Sequence, residues 1–218
     1  MATAAIDWQT RDSLWGSSAA ARTVTMDDGL GAQNLEIDER SVSEAWDAIA
    51  VWGTATFGGS WSWTWSAAGV VTLTAGAAVS ATWGSALQTR LGVPSSHVSS
   101  TSLAASSRAP AFVVATSPLS LGVAGVARME LDGDASGDGA VLGGVFSTQA
   151  REIRCEAVVD ADVWATIESE ARQARPVRVA HVYDPIDAVW YTCGLGAVTQ
   201  EHDGPGLARV VFEVLTDA

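Results

Sequence analysis

The stretch richest in potential ligands is Asp132-Gly133-Asp134-Ala135-Ser136-Gly137-Asp138. Short oxygen side chains at alternate positions around a glycine can wrap a hard cation such as calcium. The helix-loop-helix calcium pattern then needs Glu at the twelfth position, and Gly143 stands there. Flanking helices are not predicted either. The plainer reading of the same run is an exposed hairpin tip, because Asp and Gly are favoured turn formers. The three histidines, His97, His181 and His202, fall in different segments and are not spaced as a metal pair. Zinc needs three or four convergent ligands, so no metal site is expected. A G-x-S-x-G elbow, an H-E-x-x-H pair and the glycine-rich phosphate loops are all missing from the sequence. Acyl transfer, zinc hydrolysis and nucleotide binding therefore have no motif to stand on. The expectation is a protein that is not an enzyme and carries no cofactor.

Tryptophan is the other chemically loaded residue. The chain has ten, and most precede residue 84. Trp61, Trp63 and Trp65 alternate with Ser62 and Thr64, and a strand would put all three indoles on one face. Such a face is either a sugar-stacking platform or a packing stripe. Sugar sites add carboxylates and amides for the hydroxyls, and none are near. Buried aromatic stripes are commoner, since aromatics bring the largest area per residue. Trp46, Trp52, Trp61, Trp63, Trp65 and Trp83 are expected to be packing or interface anchors.

These residues need elements to hold them. Leu35 and Ile37 suggest a short strand. Ser41 with Glu44 forms a capping-box pattern, and Val42, Ala45, Trp46, Ile49 and Trp52 or Gly53 follow helical spacing up to Gly58-Gly59. Short strands come next: Trp61–Trp65, a turn at Ala67-Ala68-Gly69, Val70–Thr74 ended by Gly76, then Val79–Trp83. Ser85–Leu91 reads as a short helix closed by Gly92 and Pro94. Residues 95–109, rich in Ser and Ala, read as a surface loop, and Phe112–Val114 as an apolar strand. Pro118 marks a domain boundary, giving a Trp-rich, charge-poor α+β part over 1–117 and a second α+β part over 118–218. In the second part, Gly133–Gly144 reads as a hairpin or loop and Arg151–Val159 as an alternating strand. A helix follows, bearing Trp164 and Ile167 and stopped by Pro176. Strands Val177–Val182, Val189–Leu195 and Leu207–Leu215 complete it, with a loop over Gln200–Gly206. The fold class is α+β, mainly antiparallel β with a few short helices, its C-terminal part a curled sheet packed on one helix. Cys155 and Cys193 read as reduced core residues or as a cross-strand disulfide.

Charge is distributed unevenly. The formal net charge is -13, yet from Ala48 to Ala127 the only ionised side chains are Arg90 and Arg108. A solvent-facing surface usually has about a quarter or more of its positions charged. So long a neutral segment is expected to be covered by other subunits. The acidic balance and the absence of a basic cluster argue against specific nucleic-acid binding. No run of about eighteen apolar residues suggests a membrane helix. Met1–Arg11 lacks the basic and apolar regions of a signal peptide.

The helix over Ser43–Phe57, then "WSWTWSAAGVVTLTAGAAVSATW", "LQTRLGV" and the Ser/Thr-rich run to Pro110 resemble a module of tail proteins of tailed bacteriophages. The stretch from "REIRCEAVV" to "FEVLTD" is similar to the tail-tube-like domains of distal tail and tail-tip proteins. The resemblance implies a non-enzymatic structural protein of the virion tail, assembled in the host cytoplasm as a homo-oligomeric ring with other tail proteins. A head-to-tail connector or tail-completion protein is the neighbouring alternative, and a Trp-rich carbohydrate-binding module the alternative from another class. It also implies a lumen that repels DNA, to which Asp132, Asp134 and Asp138, with Glu152 and Glu156, would contribute carboxylates.

Overall fold

The computed structural model describes residues 5–8, 18–114, 120–122, 127–132, 141–146, 151–161, 164–165, 168–169, 179–184, 188–204 and 207–216. The chain is mixed α and β, and every strand pairing among these residues is antiparallel. The strands are β1 (Ala5–Trp8), β2 (Thr23–Asp27), β3 (Gln33–Glu36), β4 (Ser62–Trp65), β5 (Val71–Trp83), β6 (Ser96–Ala104) and β7 (Phe112–Val114). They continue with β8 (Ser120–Gly122), β9 (Ala127–Asp132), β10 (Val141–Phe146), β11 (Arg151–Asp160), β12 (Val179–Asp184), β13 (Val189–Gly204) and β14 (Leu207–Thr216). A 3-10 turn, Ala19–Arg22, precedes β2. The helices are α1 (Val42–Phe57) and α2 (Ser85–Leu91).

The elements form two main sheets. One has the order β3-β2-β5-β4, with β6 on the other side of β5. The second has seven strands in the order β7-β1-β12-β13-β14-β11-β8. β9 and β10 pair with each other in a separate hairpin. The seven-stranded sheet takes strands from both sides of the boundary expected at 117/118: β1 and β7 come from before it and the other five from after. Pro118 lies outside the described residues.

α1 forms where the capping box starts it. Ser41 Oγ accepts the Glu44 amide at 3.2 Å, and the Glu44 carboxylate accepts the Ser41 amide at 3.2 Å. Gly58 ends it with φ 73°, a left-handed conformation glycine adopts without steric penalty. The buried stripe is Val42, Ala45, Trp46, Ile49, Ala50 and Gly53. Trp52 is only partly covered, so Gly53 holds the inward position. α1 packs on β4 and β5 of one sheet and on β1 of the other. One apolar core results, shared by Ile6, Phe112 and Val182 of the seven-stranded sheet and by Val24, Met26, Leu73 and Trp83 of the other.

The structure departs from the sequence expectations at several elements. Gly76 does not end a strand; β5 runs through it from Val71 to Trp83. A Cβ there would fall 2.8 Å from Gly59 Cα, so the glycine marks a close backbone crossing instead of a break. Beside it the β5–β6 register shifts between Thr74 and Val79. Residues 96–104 are strand β6 and not a loop: hydrogen bonding to β5 makes a strand of a segment whose composition reads as loop. β13 continues to Gly204, through most of the loop expected over Gln200–Gly206. In the second part, residues 161, 164–165 and 168–169 are helical, and Trp164 packs against the core. The rest of that expected helix, with Ile167 and Pro176, lies outside the described residues.

Topology also settles the cysteines. Cys155 pairs with Phe212 of β14 and Cys193 with Thr216 of β14, on its opposite sides. Two strand spacings separate them by roughly 10 Å before the axial offset is added, beyond the roughly 7 Å reach of a disulfide.

Candidate functional site

Trp46 and Trp83 are fully buried and meet edge-to-face at 5.8 Å. The Trp83 indole donates to His97 Nδ1 at 2.9 Å, and His97 Nε2 lies 2.8 Å from the Ala104 carbonyl. Indole is donor-only, so Nδ1 accepts and the imidazole proton sits on Nε2. Residues seven apart on a straight strand stand roughly 23 Å apart; the His97–Ala104 bond therefore requires β6 to curl sharply. The Trp46 indole nitrogen is buried without a partner among the described residues.

Trp61 is buried beside α1. Its ring stacks on Phe57 at 5.8 Å and its Nε1 donates to the Gly58 carbonyl at 3.0 Å. Trp52 meets Phe57 edge-on at 5.3 Å. Trp63 and Trp65 point instead at the seven-stranded sheet. Trp63 stacks on Trp190 at 5.9 Å, and Trp65 meets Tyr183 at 4.9 Å and Phe112 at 5.6 Å. Trp63 Nε1 donates to Asp47 of α1 at 2.7 Å. The three alternating indoles thus serve as packing: one braces α1 and two stitch the sheets together. The sequence named Trp61, Trp63 and Trp65, but not Phe112, Tyr183 or Trp190. Those depend on strands that meet only through the tertiary fold.

A polar cluster lies under the first turn of α1. Asp7 on β1 is fully buried, and its Oδ2 accepts both the amide and the hydroxyl of Ser43 at 2.6 Å. Its Oδ1 has no partner among the described residues. β12 sets His181 directly across from Asp7, and His181 Nε2 lies 3.5 Å from Glu44 Oε1. Burial drives the Asp7 carboxyl up to about 7, against the Ser43 hydrogen bonds and the weaker pull of Val42 and Ser41. Burial likewise lowers His181, with Glu44 and Asp47 opposing. Both shifts follow from desolvation disfavouring the charged form. Ser43 is itself buried, so its hydroxyl is not open to solvent. Nothing in the sequence marks Asp7: its burial follows from pairing with β12.

Arg108 anchors β7. Its Nη1 donates to the carbonyls of Phe112 at 2.7 Å, Ala109 at 3.1 Å and Pro110 at 3.3 Å. Burial lowers its pKa.

Asp132 ends β9, and Asp134 and Asp138 lie outside the described residues. Glu152 and Glu156 fall on β11. Among the described residues, no three His, Cys, Asp or Glu side chains are arranged to hold a metal. No described helix is long and apolar enough to cross a membrane.

The surface between residues 48 and 114 is uniform. Every exposed residue there is Ser, Thr, Ala, Gly or Val, and none is ionisable. Arg90 and Arg108 are both partly covered. Val51 and Val98 are the large apolar residues left open in this region. The free edge of β6 is closed by its own side chains. The Ala105 amide bonds the Val71 carbonyl, so the alternation turns the backbone of Ser102 and Ala104 outward. Ser100 Oγ bonds both the Ser102 amide and carbonyl, and His97 takes the Ala104 carbonyl.

The sequence matches no family model, no curated protein is similar to it, and no solved structure matches the fold.

Proposed function

We propose that this chain is a non-enzymatic structural protein of a tailed-phage virion, working in the distal tail or tail tip by assembling as a ring with copies of itself and with other tail proteins. The observation that carries the reading is the uncharged exposed surface over residues 48–114 on a chain whose net charge is -13. Copies this acidic repel one another wherever carboxylates face across a contact. A neutral face lets them approach. Rings follow from head-to-tail contacts that close. The order β11, helical residues, β12, β13 and β14, with β14 returning beside β11, supports the tail-tube-like reading of the second part. On that reading Asp132, Asp134 and Asp138 belong to a DNA-repelling rim or lumen. The connector or tail-completion role uses the same surface at another position in the particle. The sugar-platform reading loses support from the packing of Trp61, Trp63 and Trp65.

The test is solution size and electron microscopy of the purified chain. Closed rings are expected. Val51→Glu or Val98→Glu should disperse them with little change in melting temperature, because both positions are exposed. A wild-type chain that stays monomeric at every concentration, alone and with tail-tube protein, overturns the reading. Specific glycan binding lost in Trp63→Ala would favour the carbohydrate module instead.

A further inference from the structure

Asp7 and His181 stand side by side on β1 and β12 and both reach the first turn of α1. β1 is an inner strand of only four residues, held between β7 and β12. Asp7 hydrogen-bonds the first turn of α1, whose body lies on the other sheet. His181 reaches the same turn from β12. The groups facing this pair are Glu44 and Asp47 from α1, and Tyr183 stands on β12 two residues beyond His181. β7 contributes Phe112, Val113 and Val114, none of them titratable.

We propose that Asp7 and His181 form a proton-sensitive latch that fastens β1, and with it the seven-stranded sheet, to the N-terminus of α1, closing when both side chains are neutral. Ionised, Asp7 is a fully buried carboxylate whose Oδ1 has no hydrogen-bond partner among the described residues, and charged, His181 is a largely buried cation; each penalises the closed state. The signs are opposite for the two groups. Asp7 is raised on folding from 3.8 to about 7, so its contribution is fully present below the unfolded value and is lost as pH rises through about 7. His181 is lowered from 6.5, so its contribution is present above 6.5 and is lost as pH falls through the depressed value. Above about 7 the Asp7 contribution is gone, and below the depressed His181 value the His181 contribution is gone. This inference is independent of the assembly reading and can fail separately from it.

The experiment is amide hydrogen exchange of the full chain from pH 6 to 8, corrected for intrinsic base catalysis. The opening equilibrium of β1 and β12 amides should rise across that range: ionisation of Asp7 alone gives about tenfold, and His181, whose contribution returns as pH climbs past 6.5, takes back part of it. Amides at the centre of β5 should not follow. Asp7→Asn should abolish the rise. Ser43→Ala removes a hydroxyl that favours the carboxylate, so the midpoint should move to higher pH. A merely structural contact would lower protection without moving a midpoint. If Asp7→Asn fails to fold, the wild-type profile and the Ser43→Ala midpoint still decide. A flat wild-type profile, a rise that survives Asp7→Asn, or a Ser43→Ala midpoint that stays or falls overturns the proposal.

Discussion

Gly53→Ala sets two effects against each other inside α1. Alanine in a helix interior is favoured over glycine by about 1 kcal/mol, and at an open position the substitution would stabilise the protein. Gly53 is not open. A Cβ there would lie 2.5 Å from Trp61 Cδ2 and Cε3 and 2.8 Å from Cε2. The indole cannot simply swing away. It is stacked on Phe57 and its Nε1 is tied to the Gly58 carbonyl at 3.0 Å. Overpacking of this kind costs about 1–3 kcal/mol, and a hydrogen bond lost in the shift adds about 1 kcal/mol. The net expectation is destabilisation of about 1–3 kcal/mol. Urea denaturation read by tryptophan fluorescence measures it, as a lower midpoint at unchanged slope. The melting temperature should fall by about 2–4 °C per kcal/mol for a chain of this size. In a Trp61→Leu background the ring is gone, and Gly53→Ala should become neutral or stabilising by up to about 1 kcal/mol. A wild-type background in which Gly53→Ala raises stability would refute the packing argument.

Ser41→Ala removes the helix cap and should cost about 1 kcal/mol, seen in the same urea assay. His97→Phe strands the buried Trp83 indole nitrogen, costing about 1–3 kcal/mol. It also frees the Ala104 carbonyl on the β6 edge, so light scattering should show faster aggregation than for a control of equal stability. Arg108→Met keeps the bulk but strips the donor from three carbonyls. A loss of about 1–3 kcal/mol is expected, with exchange protection falling first at the Phe112–Val114 amides.

What the sequence disclosed was local. Ser41 and Glu44 announce α1 because a capping box is satisfied within four residues. Gly92 announces the end of α2 because its φ of 70° is a local demand that glycine meets. What stayed hidden was set by distant partners. Gly76 reads as a break until Gly59 is known to cross it. The Ser-rich 96–104 segment becomes a strand only because β5 offers it a ladder, and an uncharged edge gives no sequence warning when Ser100 and His97 cap it. The Trp stripe was legible as packing, but its division between α1 and Trp190 was not. Asp7 gave no sign, since burial is conferred by a strand more than 170 residues later.

The placement of β1 has a consequence for synthesis. Its neighbours are Phe112–Val114 on one side and Ala180–Tyr183 on the other. During translation the sheet built from β2 to β6 can close while the remainder is still being made. Ile6 can meet Val113 once β7 is made, but its other neighbour, Val182, arrives only about 70 residues later. Contacts of such long sequence separation are slow to form, and the edge of β1 that faces β12 is then among the last to be covered. Nascent chains halted before Tyr183 should therefore leave Ala5–Trp8 more open to protease than chains released beyond it.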